Sequence, residues 1–307
     1  MGRMRDQIEN PPSIAVLIVT WNRRADVLEC IGSVCASDYP GDRLRIYVVD
    51  NGSSDDTSSE IEAKYPEVRL IKCAENLGFA GGNNVGLNRV LQGEAEAVFL
   101  LNDDALVEQG AIRFLAEAAF VDESLGVTAP KILLHSDPTV IWSAGGLVDR
   151  SSGVATQRYY GEPDDGRGDA PCDLDYAVGC AALVKRRVIE EVGFLDPRFY
   201  LYYEETDWCR RIRDAGYRIR YIPESRVMHK VSLSNNGRNN ASYYYARNRL
   251  LYLKNAGASG IELTGTAMSL LKSAAAHAVK GRRQTGRLMF RGISDFCEHK
   301  FGKLCDV

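Results

Sequence analysis

Five short stretches of this chain carry side chains that could do chemistry. The first is Val49-Asp50-Asn51-Gly52-Ser53-Ser54-Asp55-Asp56-Thr57. A carboxylate at the end of an apolar run, followed by a turn, can accept a hydrogen bond from a nucleobase imide N–H. Ser54, Asp55 and Asp56 are explained by capping a helix that starts near Thr57; Asp50 is not, and reads as a ligand contact. The second is Leu101-Asn102-Asp103-Asp104-Ala105. Two acids and an amide at a strand end are hard oxygen donors for Mg2+ or Mn2+, ions that take one or two carboxylates and complete their shell with phosphate and water. An acidic turn leading into a helix near Gln109 accounts for the same residues.

The third is Phe199-Tyr200-Leu201-Tyr202-Tyr203-Glu204-Glu205-Thr206-Asp207-Trp208-Cys209-Arg210-Arg211. Acids opening a helix are favoured by its dipole. Yet Glu204, Glu205 and Asp207 are crowded and flanked by aromatic residues, and like charges with partial burial raise a carboxyl pKa toward that of a general base. Trp208, Tyr202 and Tyr203 can form a floor for a sugar, or core. The fourth is His229 in Val227-Met228-His229-Lys230, a histidine after a strand and before a polar loop, structural or ligating. The fifth, Glu75-Asn76-Leu77-Gly78-Phe79-Ala80-Gly81-Gly82-Asn83-Asn84, reads as a glycine turn before a helix whose N-terminus suits an anion. It is not the dinucleotide fingerprint, which would follow the first strand, where Thr20-Trp21-Asn22-Arg23 stands instead.

The elements that must position these residues alternate. Ile14 to Val19 reads as a strand buried on both faces. Val27 to Ala36 reads as a helix, Arg45 to Val49 as a strand, Thr57 to Lys64 as a helix and Val68 to Cys73 as a strand. Asn83 to Gln92 (helix), Ala97 to Leu101 (strand) and Gln109 to Phe120 (helix) continue the series. This is an α/β pattern with a mainly parallel sheet flanked by helices, and such sheets bind ligands at the carboxyl ends of their strands, where Asp50 and Asp103-Asp104 fall. Beyond it, Val127 to Leu134 reads as a strand, Ser143 to Gly168 as loops with one hairpin, and Asp175 to Lys185 as extended. Val188 to Val192 is a short helix, Glu204 to Ala215 a helix stopped by Gly216, and Arg218 to Ile222 a strand ended by Pro223. From Ser242 onward the pattern is helical.

The net charge of -3 gives no global pull toward nucleic acid or membrane. The charge asymmetry is local: from Ala241 on, eleven Lys and Arg, among them Lys272, Lys280, Arg282, Arg283, Arg287 and Arg291, face four acids. Basic helices with Leu270, Leu271, Leu288, Met289 and Phe290 suit an anionic bilayer surface; a helical cap with a solvated basic face explains them equally. Met1-Gly2-Arg3-Met4-Arg5-Asp6 has no apolar run after its basic residues, unlike a signal peptide. Leu263 to Val279, the best candidate span, is broken by Lys272. The eight cysteines, without a Cys-x-x-Cys pair, read as reduced thiols of a cytoplasmic protein.

In order and spacing these pieces resemble the large family 2 of inverting glycosyltransferases, from Ile14 to about Leu253. The likeness is greatest to bacterial rhamnosyltransferase-like members that build cell-surface polysaccharides. It rests on Val49 to Thr57, Asn76 to Gly86, Gly193-Phe194-Leu195-Asp196 through Tyr203-Glu204-Glu205-Thr206-Asp207 to Gly216-Tyr217, and Tyr243-Tyr244-Tyr245-Ala246-Arg247-Asn248-Arg249. The resemblance implies a GT-A catalytic domain over 1–240 (nucleotide-sugar half about 14–125, acceptor half about 126–240) and a basic helical extension over 241–307. It implies that Thr20, Trp21 and Asp50 hold the base, with Asn22 and Asp103 in the donor site, and that Asn76, Gly82 and Asn83 lie along the ribose and phosphates. Asp104 would ligate Mn2+ or Mg2+ as the last residue of the Asp-x-Asp motif, with His229 as a metal or diphosphate contact and Asn102 beside them. Glu205 would be the base, with Asp207 and Glu204 as substitutes, and Trp208 and Tyr203 would meet the acceptor. Two departures stand out: Asn102 replaces the motif's first Asp, and Glu205 the commoner Asp.

The expected reaction moves a sugar from a UDP- or dTDP-sugar, dTDP-rhamnose among them, to a hydroxyl of a saccharide, lipid-linked or not. Peripheral contact with the inner face of the cell membrane through the C-terminal helices belongs to that expectation; nucleic acid does not. The competing reading, a metal-dependent nucleotidyltransferase, wants an Arg/Lys-rich glycine loop after the first strand, which Thr20 to Arg24 lacks. An inactive nucleotide-binding homologue is opposed by the presence of Glu205, Asp104 and His229.

Overall fold

The computed structural model describes residues 10–231 and 235–304; Met1 to Asp6, Cys305 and Asp306 lie outside the described residues. The chain runs β1 (Ile14–Thr20), α1 (Arg24–Cys35), β2 (Leu44–Asp50), α2 (Thr57–Lys64), β3 (Arg69–Lys72), α3 (Gly78–Leu91), β4 (Ala97–Asn102), β5 (Ala105–Val107), α4 (Ala111–Val121), β6 (Leu125–Leu134) and β7 (Asp137–Ser143). There follow β8 (Gly146–Val148), β9 (Ala155–Gln157), β10 (Cys172–Asp173), β11 (Ala181–Lys185), α5 (Arg186–Val192), α6 (Glu204–Asp214), β12 (Arg218–His229), α7 (Asn235–Asn255), α8 (Gly260–Val279) and α9 (Arg283–Cys297).

The unbroken apolar run of β1 pays off in position: β1 lies between β2 and β4, parallel to both, with β3 parallel beyond β2. On the other side of β4 comes β11, antiparallel, then β6 and, parallel to β6, β12. The order β10-β12-β6-β11-β4-β1-β2-β3 makes one sheet, with β5 and β7 paired to β12 and β6. The α/β class, the mainly parallel centre and the flanking helices agree with the sequence reading.

Three boundaries differ for physical reasons. Helix α3 begins at Gly78 rather than Asn83, and its Gly82 and Gly86 let it pack on Val19 and Leu17 of β1 instead of making a loop. Strand β12 does not stop at Pro223. Its pairing to β6 jumps register between Ile222 and Arg226, and a proline without an N–H is tolerated in such an irregularity. Strand β5, three residues long, carried no periodic signal.

Register lines up the strand ends. Thr20 pairs with Asp50 across β1 and β2, and Val19 with Asn102 across β1 and β4. The chain turns at Asp103-Asp104 into β5, which lies antiparallel to β12 with Ala105 opposite His229.

Helices α7, α8 and α9 form the C-terminal extension. Ala246, Leu250, Leu270 and Ile293 make their shared cluster, with Leu271 and Met289 packed on it. Three of the apolar residues offered to a bilayer by the sequence are therefore used between helices. Phe290 (60% exposed) and Val279 (87%) remain outside, Phe290 on the α9 stripe of exposed Arg283 and Arg287. No helix among the described residues is long and apolar enough to cross a membrane.

Candidate active site

Asp50 ends β2 with its carboxylate already oriented. One oxygen accepts from the Ser53 amide at 2.8 Å and the other from the Ser58 hydroxyl on α2. Asn22, at φ 53, ties the neighbouring loop to this turn: its amide donates to Ser53 Oγ at 2.9 Å and its side-chain oxygen accepts from the Ser54 amide at 2.8 Å. Thr20 is buried beside Asp50 and Trp21 partly exposed. These four residues form one rim at the carboxyl ends of β1 and β2.

The glycine-rich stretch behaves differently from expectation. Asn51 on β2's exit accepts from the Leu77 amide (3.0 Å) and donates to Gly78 O (3.1 Å) and Asn76 Oδ1 (3.2 Å). The first amides of α3 do not await an anion: Phe79 N–H donates to Tyr200 O at 2.8 Å. Gly82 faces the sheet, where a Cβ would come within 2.7 Å of Val19 Cγ1, and Asn83 is buried and donates back to Phe79 O at 2.9 Å. Gly82 thus lets α3 approach the sheet and Asn83 is bonded within its own helix, while Asn76 holds the turn at the rim.

Asp104 and His229, 125 residues apart, are brought together by the β5–β12 pairing: His229 Nε2 lies 3.1 Å from Asp104 Oδ1. Arg23, at the start of α1, donates to Asp104 Oδ2 at 2.9 Å and stands 3.5 Å from Asp103 Oδ1. Burial alone would raise the Asp104 pKa; the hydrogen bond and charge of His229 and the charge of Arg23 outweigh it and hold the carboxyl at about 2. Asp103 goes the other way, to about 7, because burial outweighs Arg23 and Asp104 adds repulsion. His229 Nδ1 is buried without a hydrogen-bond partner among the described residues, and Trp142 stacks edge-on at 4.3 Å. No group of three or more His, Cys, Asp or Glu able to hold a metal occurs among the described residues. The donor set still fits a divalent ion of the Mg2+ or Mn2+ kind, which needs few protein carboxylates when phosphate oxygens complete the shell. Asp104 is ionised and follows the end of β4, His229 turns Nε2 toward the same carboxylate, and Asn102 adds an amide at the strand end.

The acid cluster opens α6. Tyr200, Tyr202 and Tyr203 all have positive φ (65, 67 and 73°), a left-handed conformation that costs a non-glycine residue on the order of 1–3 kcal/mol. They swing the chain so that Glu204 and Glu205 start the helix facing inward; each has a buried Oε2 with no hydrogen-bond partner among the described residues. Burial raises both pKa values. Glu204 is raised further by the charge of Glu205, whereas backbone N–H groups of Thr206 and Gly179 favour ionised Glu205. Two such carboxyls share a proton; Glu204 keeps it and Glu205 is the one to ionise. Asp207 does not face this site. It is 1% exposed and bonded to Arg210 (3.1 Å), Arg211 (3.0 Å) and Asn255 (3.2 Å), which makes it an anchor for α6 rather than a substitute base. Trp208 is likewise core, its Nε1 donating to Gly193 O at 2.7 Å, and Tyr203 is buried with its hydroxyl on Gly153 O. The aromatic surface left beside the acids is the Tyr202–Tyr245 stack, centroids 4.4 Å apart, with Tyr245 half exposed.

The start of α6 and the end of β4 are linked through the turn before β11. Asn102 N–H donates to Cys180 O at 2.9 Å, and a Cβ on Gly179, one residue earlier, would come within 3.7 Å of Glu205 Cγ. Sequence reasoning missed Arg23, Gly179 and Tyr245. Arg23 follows the strand as a basic residue opposite an acidic turn, a signal present in the chain; Gly179 offered none.

The profile described as glycosyl transferase family 2 matches residues 15–193. Among curated proteins, the dTDP-rhamnosyl transferase RfbF of Shigella flexneri is 22% identical over 219 residues, 71% of this chain and 69% of that protein. The N-acetylglucosaminyl-diphospho-decaprenol L-rhamnosyltransferase of Mycobacterium tuberculosis is 26% identical over 265 residues, 78% of this chain and 83% of that protein. Among solved structures, the mannosyltransferase PcManGT from Pyrobaculum calidifontis, in complex with GDP-Man and Mn2+, superposes with TM-score 0.61 at 17% identity, covering 95% of this chain and 89% of that one. GalNAc-T7 with UDP, GalNAc and Mn2+ gives TM-score 0.60 at 17% identity, covering 79% and 51%. At this identity the structures share the fold, which is GT-A.

Proposed function

The chain belongs to glycosyl transferase family 2, and from that premise we propose that it transfers a sugar from a nucleoside-diphosphate donor to a saccharide hydroxyl by one inverting, in-line displacement. The observation that carries this reading is Glu205: a buried carboxylate oxygen with no hydrogen-bond partner among the described residues, at the start of α6 and against Gly179, whose neighbour Cys180 accepts from Asn102 at the end of β4. Glu205 takes the proton of the acceptor hydroxyl as its oxygen attacks the anomeric carbon, and the nucleoside diphosphate leaves from the opposite face. Glu204 stays protonated beside it, which spares the site a second buried negative charge. Asp104 and His229 would hold a divalent cation, which when bound supplies Lewis-acid stabilisation of the leaving diphosphate. Asp50 accepts from the imide of the base through the lone pairs that Ser53 and Ser58 leave free. That chemistry suits uracil or thymine, and two relatives named as rhamnosyltransferases support dTDP-rhamnose.

A panel of UDP-, dTDP- and GDP-sugars with Mn2+ tests the reading. A donor that binds the folded state raises the unfolding temperature, and the dTDP- or UDP-sugar that does so should release its nucleoside diphosphate when acceptor is added. No stabilisation by any donor, or stabilisation with sugar-1-phosphate as the released product, rejects a glycosyl transferase.

We also propose that the enzyme meets its acceptor at a membrane surface. The name of the mycobacterial relative specifies a decaprenol-linked acceptor, and here the turn between α8 and α9 exposes Val279, Lys280, Arg282 and Arg283, with Arg287 and Phe290 beyond. Each cation near an anionic leaflet contributes about 1 kcal/mol, screened by salt. Sedimentation should therefore show binding to anionic vesicles, loss in high salt, and loss when Lys280, Arg282, Arg283 and Arg287 become Glu. Equal recovery in the supernatant with and without anionic vesicles would reduce the extension to a packed cap.

A further inference from the structure

The Tyr243–Arg249 run on α7 is not used by the chemistry above, yet it contains two fully buried polar side chains, Arg247 and Asn248, both 0% exposed. Their hydrogen bonds converge on the loop before Glu204. Asn248 Nδ2 donates to Phe199 O (2.9 Å), Leu201 O (2.8 Å) and Tyr202 O (2.8 Å). Arg247 uses its whole fork: Nη2 donates to Arg198 O (3.1 Å) and Phe199 O (2.9 Å), Nη1 to Gly302 O (2.7 Å) and Tyr243 Oη (3.3 Å), and Nε to Asn248 Oδ1 (2.9 Å). That last bond orients the amide, because it fixes which end of Asn248 faces the carbonyls. The remaining carbonyl of the loop, Tyr200 O, accepts from Phe79 N–H of α3. Every carbonyl from Arg198 to Tyr202 is thus held, in a loop where three tyrosines sit at positive φ.

A loop in this conformation persists only when its surroundings over-determine it, and the surroundings here are these two side chains. We infer that Arg247 and Asn248 are positioning residues for sugar transfer: by gripping the 198–202 carbonyls from α7, they hold Glu204 and Glu205 at the start of α6 in the geometry the reaction needs. The inference rests on the reading of Glu205 as base. It makes the C-terminal extension part of the catalytic apparatus, whatever its relation to a membrane.

Asn248→Ala and Asn248→Asp test it, measured for unfolding temperature, donor affinity, both KM values and kcat. Asp keeps the shape of Asn but offers the carbonyls no N–H when ionised. Both variants should bind donor within threefold of wild type and keep both KM values, while kcat falls at least thirtyfold, the Asp variant no better than the Ala. Asn248→Asp with kcat within threefold of wild type would show that shape alone matters and overturn the inference, as would losses of kcat and donor affinity in equal measure. Should both variants fail to fold, Arg247→Lys decides: it retains the charge but loses the fork, and an unchanged kcat rejects the clamp. Glu205→Gln run alongside separates the two readings. If it is active, the base assignment fails; if it is inactive while Asn248→Asp is fully active, only the clamp fails.

Discussion

Glu205→Gln should bind the donor as wild type does and turn it over roughly a thousandfold more slowly, mid-range for the loss of a general base. The amide is nearly the carboxylate's size, so the loss reports proton transfer rather than shape. Steady-state kcat beside donor binding measured by calorimetry makes the test. Activity within tenfold of wild type would transfer the role to Glu204, since Asp207 is locked between Arg210 and Arg211.

The same carboxyls give the substitution an opposite effect on stability. Glu204 and Glu205 both titrate above their ordinary value of 4.5 when folded, chiefly because they are buried. Between that value and the raised ones the native state binds more protons than the unfolded chain, so stability declines as pH rises through the window. Glu205→Gln should therefore melt at a higher temperature than wild type at neutral pH, with the gain vanishing below pH 4.5 where both carboxyls are protonated in either state. In wild type, kcat should fall on the acid side as Glu205 is protonated.

The second large effect concerns Asp104. Replacement of Asp104 or of His229 by Ala would each remove a ligand and should weaken Mn2+-dependent donor binding by more than the roughly 10–100-fold that loss of a ligand's supporting partner costs. Binding of donor without metal should change little. Turnover that survives exhaustive EDTA treatment would remove the metal from the mechanism and leave Asp104 and His229 as an internal ion pair with Arg23.

What the chain announced and what it concealed divide along distance in sequence. Strands β1, β2 and β4 were legible because a strand buried on both faces is a continuous apolar run, and Thr57–Lys64 because its signals are local, although of the three residues offered as caps only Asp55 accepts from the Thr57 amide and Asp56 at the N-cap makes no capping bond. The acids at the strand ends were visible for the same reason. The meeting of Asp104 with His229 depends on β5, too short to show a period, so only resemblance placed the two in one site. The start of α3 was misread because a glycine needed for close packing on Val19 looks like a glycine needed for a turn. Arg247 and Asn248 were noticed only as part of a motif: nothing near them predicts that their partners are carbonyls some 50 residues upstream.

The bond from Arg247 to the carbonyl of residue 302 ties the proposed positioning of Glu205 to the end of synthesis. During synthesis the strands β1 to β4 can assemble while the ribosome is still far from the end of α9, since all four are complete by Asn102. The anchoring of the Arg247 fork that grips the loop is not complete until residue 302 has been made. At the 5–20 residues per second of translation, about five to twenty seconds separate the emergence of Glu205 from that of residue 302. On the positioning role inferred for Arg247, a nascent chain should be able to hold a nucleotide before it can transfer a sugar.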